Sequence, residues 1–112
     1  MYIPNPGDIA LLEMETGSWY QPKEQQYLFI ISNNTFHRFT GMAIACPIIP
    51  HGQPSPLHIK CEGRTKTNGM ICCEHVKTMD IKTRELTFIE KVPRDILDEV
   101  RDILYGILES EE

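Results

Sequence analysis

Pro93-Arg94-Asp95-Ile96-Leu97-Asp98-Glu99-Val100-Arg101-Asp102-Ile103-Leu104-Tyr105-Gly106-Ile107-Leu108 is the stretch whose reading decides the fold, because it is the clearest helix in the chain. Pro93 suits a first helical turn, where its missing N–H would lack a partner anyway. Asp95, Asp98 and Glu99 fall early, where the helix dipole favours acids. Ile96, Leu97, Val100, Ile103, Leu104, Ile107 and Leu108 recur at three- and four-residue spacing as one apolar stripe. Arg94 with Asp98, and Asp98 with Arg101, are placed to pair on the wet face. A stripe of this kind packs on a sheet or serves a subunit contact.

Working back from the helix, the rest of the chain reads in strands. Residues 83–92 alternate at Leu86, Phe88 and Glu90. Residues 69–73 form a short buried run, and residues 57–61 alternate as a half-buried strand. Residues 42–49 are apolar with Pro47 inside, which cannot donate to a ladder and predicts a bend, a bulge or an edge from that point. Tyr27-Leu28-Phe29-Ile30-Ile31 is a continuous aromatic and β-branched run, as in a strand buried on both faces. Ser32-Asn33-Asn34-Thr35 stops it with turn-forming side chains. Residues 8–14 give the first strand, after the turn Asn5-Pro6-Gly7. Polar loops are expected around Gly17, Trp19, Tyr20 and Pro22, at residues 50–56, and from Glu62 to Asn68. The expected fold is mainly β with a C-terminal helix.

The 112 residues suit one domain, 1–112, with a single modest core. A hydrophobic content of 41% argues against disorder. No apolar run nears the roughly 18 residues of a membrane-spanning helix, and the N-terminus has no basic segment followed by an apolar one. No membrane contact and a cytoplasmic location are expected. Cys46, Cys61, Cys72 and Cys73 sit in apolar stretches and read as buried, reduced thiols. No Cys-x-x-Cys pair occurs, adjacent Cys72 and Cys73 would point to opposite faces of a strand, and Cys73-Glu74-His75 lacks further ligands at usable spacing. Neither metal nor cofactor is expected. A net charge of −5 does not favour nucleic-acid binding from bulk charge. Yet from Lys60 to Arg84 six bases face three acids, so a locally basic surface on an acidic protein is one reading and a solvated polar loop the other.

Several short strings then fall into one order. Tyr2-Ile3-Pro4 with Gly7-Asp8-Ile9 resembles the opening of the MazF/PemK toxins. Phe29-Ile30-Ile31-Ser32, Phe36-His37-Arg38 and Thr40-Gly41-Met42 resemble their second strand and its link to the third. Ala45-Cys46-Pro47-Ile48 resembles the end of the third strand. Thr67-Asn68-Gly69-Met70-Ile71 and the segment from Cys73 to Asp80 resemble the family's Thr-x-Gly strand and Asp-Gln-Val-Arg segment. The resemblance spans nearly the whole chain. It implies a small twisted, SH3-like, partly closed barrel and a symmetric homodimer. It also implies a prokaryotic or phage-encoded toxin with an antitoxin peptide as partner, operator DNA bound through that antitoxin, and cleavage of single-stranded RNA by active members.

Metal-independent RNA cleavage needs a base for the 2′-hydroxyl, cationic or strong donors at the phosphate, and an acid for the leaving oxygen. In active members of the family an Arg-Pro pair opens the second strand and a Thr follows the Cys-Pro-Ile string. Here Gln26-Tyr27 stands at the first position and Ile49 at the second. Gln26 donates only neutral hydrogen bonds, and Ile49 has no polar side-chain atom. Lys23 and Glu24, expected in a loop just before Gln26, together with Arg38 and His51 are candidate substitutes. His37 and His75 take places the family often gives to Asn and Gln, and histidine is the side chain suited to proton transfer near neutral pH. Trp19, Tyr20 and Tyr27 read in three ways: stacking platforms for bases, anchors for an antitoxin peptide, or a loop packed on its own barrel with Trp19 as plug. With Arg38, His75 and Lys77 they make up the expected RNA or antitoxin surface. The leading expectation is a toxin homologue whose ribonuclease activity is reduced, altered or lost. The alternative is a binding module: an antitoxin sink, an operator co-repressor, or a protein-targeting toxin of the gyrase-inhibitor type.

Overall fold

The chain runs β1 (Asp8–Glu15), β2 (Lys23–Ile30), α1 (Asn34–Thr40), β3 (Met42–Ile49), β4 (His58–Lys60) and β5 (Met70–Cys72). A 3₁₀ turn (Cys73–His75), β6 (Lys77–Asp80), β7 (Glu85–Lys91) and α2 (Arg94–Leu108) follow. The structure is a computed structural model and describes residues 2–21, 23–61 and 63–111. Pro22 and Glu62, assigned to loops from the sequence, lie outside the described residues.

All strand pairs are antiparallel. The sheet order is β4-β5-β3-β2-β1-β7, with β6 joined to β3 beside β5. The sheet is partly open, with β4 and β7 at the ends of this path and α2 against one face. Period-2 alternation sorts the side chains into two cores. Ile9, Phe29, Cys46 and Ile48 join Ile96, Leu97 and Val100 of α2. Leu12, Leu28, Ile30, Ala43 and Ala45 pack instead with Met79 and Ile81. Both faces of β2 at Leu28–Ile30 and of β3 at Ala45–Ile48 are therefore dry, as the run Tyr27–Ile31 implied. Each fully buried aliphatic side chain is worth about 1.5–3 kcal/mol. The helix stripe is buried at Ile96, Leu97 and Val100, half-buried at Ile103 and Leu104, and exposed at its end, where Ile107 is 48% exposed and Leu108 80%.

Four elements differ from the sequence reading. First, β2 begins at Lys23, so Lys23 and Glu24 lie on a strand, paired with Glu15 and Met14, and not in a loop. Their polarity hid the strand, because this end of the β1–β2 ribbon projects into solvent. Second, the link after β2 contains α1, whose start is capped by the Asn33 side chain accepting from the Phe36 N–H at 2.8 Å. It ends at Gly41, in the left-handed region at φ 71°. Third, Pro47 lies in a central strand and not at an edge. On one flank β3 pairs with β2. On the other it pairs with β6 through Met42–Ala45 and with β5 through Ile48 and Ile49. Cys46 and Pro47 fall in the gap between those two ladders, so the missing donor is placed at the change of partner. Fourth, Lys77–Asp80 is a strand although mostly polar, and Cys73 opens the 3₁₀ turn instead of continuing the strand of Cys72.

The first residues are tied down by a buried carboxylate. Asp8, 1% exposed, accepts from the Tyr2 hydroxyl at 2.5 Å and the Asn5 N–H at 2.9 Å. Lys91 lies 3.5 Å away. Burial and the bond to Asp8 raise the Tyr2 phenol well above its ordinary value. All four cysteines are buried and none is in a disulfide among the described residues. Among the described residues, no helix is long and apolar enough to cross a membrane.

Candidate functional site

The last paired residues of β2 and β3 at one end are Tyr27 and Ile48. One step beyond on each strand come Gln26 and Ile49, where the two chains part. A groove of about 690 Å³ opens there. It is lined by Met14, Gln21, Lys23, Glu24, Gln25, Gln26, Tyr27, Ile48, Ile49 and Pro50. The two substituted positions thus share one concave surface with Lys23, Glu24 and Tyr27.

Its floor depends on a close backbone approach. Gly69, at φ +132°, leads into β5 so near β3 that a Cβ there would sit 2.8 Å from the Ile49 carbonyl oxygen. The segment is anchored by Glu90 of β7. Its carboxylate accepts from the Thr67 hydroxyl and N–H, both at 2.7 Å, and from the Lys66 N–H at 3.0 Å. Partial burial works to raise the Glu90 pKa, but these donors outweigh it and hold the carboxyl below its usual value.

Gln26 is not alone. Lys77 of β6 donates from Nζ to the Gln26 Oε1 at 2.8 Å. This contact joins residues 51 apart in sequence. It occupies the amide oxygen, leaving the amide NH₂ as the donating end, and brings positive charge to a neutral side chain. Sequence reasoning assigned Lys77 to the binding surface but not to Gln26. Nothing local signals the pairing, since it depends on β6 lying beside β3. Lys23 lies 3.6 Å from Glu13, with its side chain 56% exposed. Such a surface pair is worth about 0.2–1 kcal/mol and leaves the ammonium free to move. The groove therefore holds the Glu24 carboxylate, the amides of Gln21, Gln25 and Gln26, and the Lys23 ammonium, with the Lys77 ammonium bonded to Gln26. At position 49 it has only an apolar side chain.

The remaining candidates divide. Trp19 is 91% exposed and contacts Tyr20 edge to face at 5.8 Å between ring centroids. The plug reading is thereby corrected: Trp19 stands out in solvent against its neighbour Tyr20 instead of folding back over the sheet. Tyr20 lines a smaller cavity of about 160 Å³ that shares Gln21 and Glu24 with the groove. Arg38, on α1, lines a separate cavity with Ile3, His37, Gly41, Ile81 and Lys82. His51 is exposed in the turn after Pro50 and is not among the groove-lining residues described. A rebuilt site of Lys23, Glu24, Arg38 and His51 is therefore not assembled, and only the first two share the groove. His75 is exposed in the 3₁₀ turn. His37 is buried, its Nδ1 2.7 Å from the Pro4 carbonyl and its Nε2 2.6 Å from the Ser32 hydroxyl. The basic excess between residues 60 and 84 is partly neutralised, since Arg64 pairs with Asp95 at 2.8 Å and Glu99 at 2.7 Å on α2. Away from the groove, His58, Cys72 and Glu74 converge, although the sequence reading considered only Cys73-Glu74-His75.

Residues 5–108 match the family of PemK-like, MazF-like toxins of type II toxin–antitoxin systems. Over 106 residues the chain is 24% identical to endoribonuclease PemK of Escherichia coli, covering 91% of this chain and 80% of that protein. A MazE–MazF crystal structure from Deinococcus radiodurans superimposes with a TM-score of 0.85 at 21% identity, covering 96% of this chain and 97% of that one. An endoribonuclease in complex with its cognate antitoxin from a mycobacterial species gives 0.74 at 15% identity, covering 94% of each chain. Those two structures speak for the fold.

Proposed function

The chain belongs to the PemK-like, MazF-like toxin family, and from that premise we propose that it is the toxin-type partner of an antitoxin peptide, with a groove that binds single-stranded RNA but cleaves it slowly. The observation that carries this reading is the convergence of Gln26 and Ile49 in one groove with Glu24, Lys23 and the Lys77-bonded amide. Glu24 is the base in reach of a 2′-hydroxyl. Gln26 and Lys77 hold the phosphate as a donor and a positive charge. Ile49 supplies no hydroxyl to polarise it. Removing one well-placed donor from a site of this kind costs about 10²–10³-fold in rate. Trp19 and Tyr20 at the rim take a base or an antitoxin side chain.

The finer assignments follow from the family. The protein acts as a homodimer in the cytoplasm of a prokaryote or a phage-infected cell, and reaches operator DNA through its antitoxin. The test is cleavage of mixed-sequence single-stranded RNA by the unaltered protein and by a Gln26→Arg, Ile49→Thr double variant. The double variant should cleave at least about 10²-fold faster. Equal, chelator-insensitive cleavage by the unaltered protein would overturn the slow-enzyme reading. A second reading, a protein-binding module, is favoured by the outward Trp19–Tyr20 pair; silence from both proteins on RNA would select it.

A further inference from the structure

His58 and Cys72 are directly opposed in the β4–β5 ladder, so their side chains stand side by side on one face. Two residues past Cys72, the 3₁₀ turn brings Glu74 back over them. One donor atom from each lies within 4.8 Å of the other two, and His58 Nε2 is 2.8 Å from Glu74 Oε2. The other ring nitrogen is committed: Nδ1 lies 2.5 Å from the Gln53 carbonyl oxygen, to which it donates. That backbone contact is the outer-shell bond metal-ligating histidines make, and it aims Nε2 at the thiol and the carboxylate. Cys72 is 1% exposed while Glu74 faces solvent. The cluster thus has a dry sulfur end and an open entry.

We propose that His58, Cys72 and Glu74 form a zinc(II) site with a water or external ligand in the fourth position. One nitrogen, one sulfur and one oxygen donor match the ligand preferences of zinc and not those of magnesium or calcium, which take oxygen alone. Zinc bond lengths of about 2.0–2.3 Å place tetrahedral donors closer together than the 4.8 Å limit within which these three lie, a change that side-chain rotation would have to supply. Cys73 is not the ligand, because its side chain packs in the core with Cys46 and Ile96 and is not among the converging donors. The ion would tie β4, β5 and the 3₁₀ turn together. Through Gln53 it would also steady the loop after β3, whose first residue, Pro50, lines the groove.

The test is titration of the full chain, chelator-treated and reduced, with cobalt(II) as spectroscopic probe, followed by displacement with zinc(II). The expected result is saturation at one equivalent, with tetrahedral d–d bands and a thiolate-to-cobalt charge-transfer band, and loss of both on adding zinc. Glu74→Gln, at an exposed position that leaves the fold intact, should weaken binding by more than about tenfold. Cys72→Ala should abolish the charge-transfer band, whereas Cys73→Ala should keep it, circular dichroism confirming that each variant is folded. Absence of stoichiometric binding would overturn the site. So would unchanged affinity in Glu74→Gln, or a charge-transfer band that survives Cys72→Ala.

Discussion

His37 holds three segments in place: α1, which carries it, the N-terminal strand-leader through Pro4, and the end of β2 through Ser32. The Nδ1–H donates to the Pro4 carbonyl and Nε2 accepts from the Ser32 hydroxyl, an arrangement the neutral ring fills completely. Burial lowers the pKa of the ring below 6.5, more than the Pro4 carbonyl and the charge of Asp8 raise it. The unfolded chain therefore binds the proton first as the solution is acidified. Stability is complete above the unfolded value and is lost as pH falls from there through the folded value. Urea unfolding from about pH 7.5 to about pH 5.5 should show a loss that His37→Gln flattens; equal slopes in both proteins would remove His37 as the cause. His37 was visible in the sequence as a histidine in a family position, but its burial was not, because the Pro4 carbonyl that takes its Nδ1 proton comes from 33 positions away.

At the scale of elements, the β3–β5 contact is the most demanding. Gly69→Ala would put a Cβ against the Ile49 carbonyl at a positive φ, a strain of order 1–3 kcal/mol. The variant should unfold at correspondingly lower urea and show altered ligand binding in the groove, since Ile49 cannot stay where it is. An unchanged midpoint would contradict the close approach. What was legible here followed period: β1, the apolar half of β2, β3 and α2 all announce themselves by alternation or by a helical stripe. The misses share a cause. The polar start of β2 and β6 are strands held by their neighbours, and seven-residue α1 reads as a turn because its cap and stop, Asn33 and Gly41, are also turn residues. In the site, Gln26 and Ile49 were identified through family order. Lys77 at Gln26, and His58 beside Cys72, depend on strand pairings that no local pattern encodes.

For the whole molecule, the exposed apolar end of α2 matters most. Tyr105, Ile107 and Leu108 are 72%, 48% and 80% exposed on one short stretch, an apolar surface fit for a second copy. Sedimentation should find the unaltered protein dimeric and a Tyr105→Glu, Leu108→Lys variant monomeric with unchanged circular dichroism. A monomer in both cases, or a dimer in both, would move the contact elsewhere. The bond from Lys77 to Gln26 has its own consequence at this scale. It exists only because Lys77 stands opposite Ala45 and Thr78 opposite Ile44. A slip of one residue between β6 and β3 would turn Lys77 to the far face of the sheet, discharging the groove without altering any residue in it. The electrostatics of this site are thus a property of strand register, and a change in the turns flanking β6 is as direct a route to silencing the groove as any substitution within it.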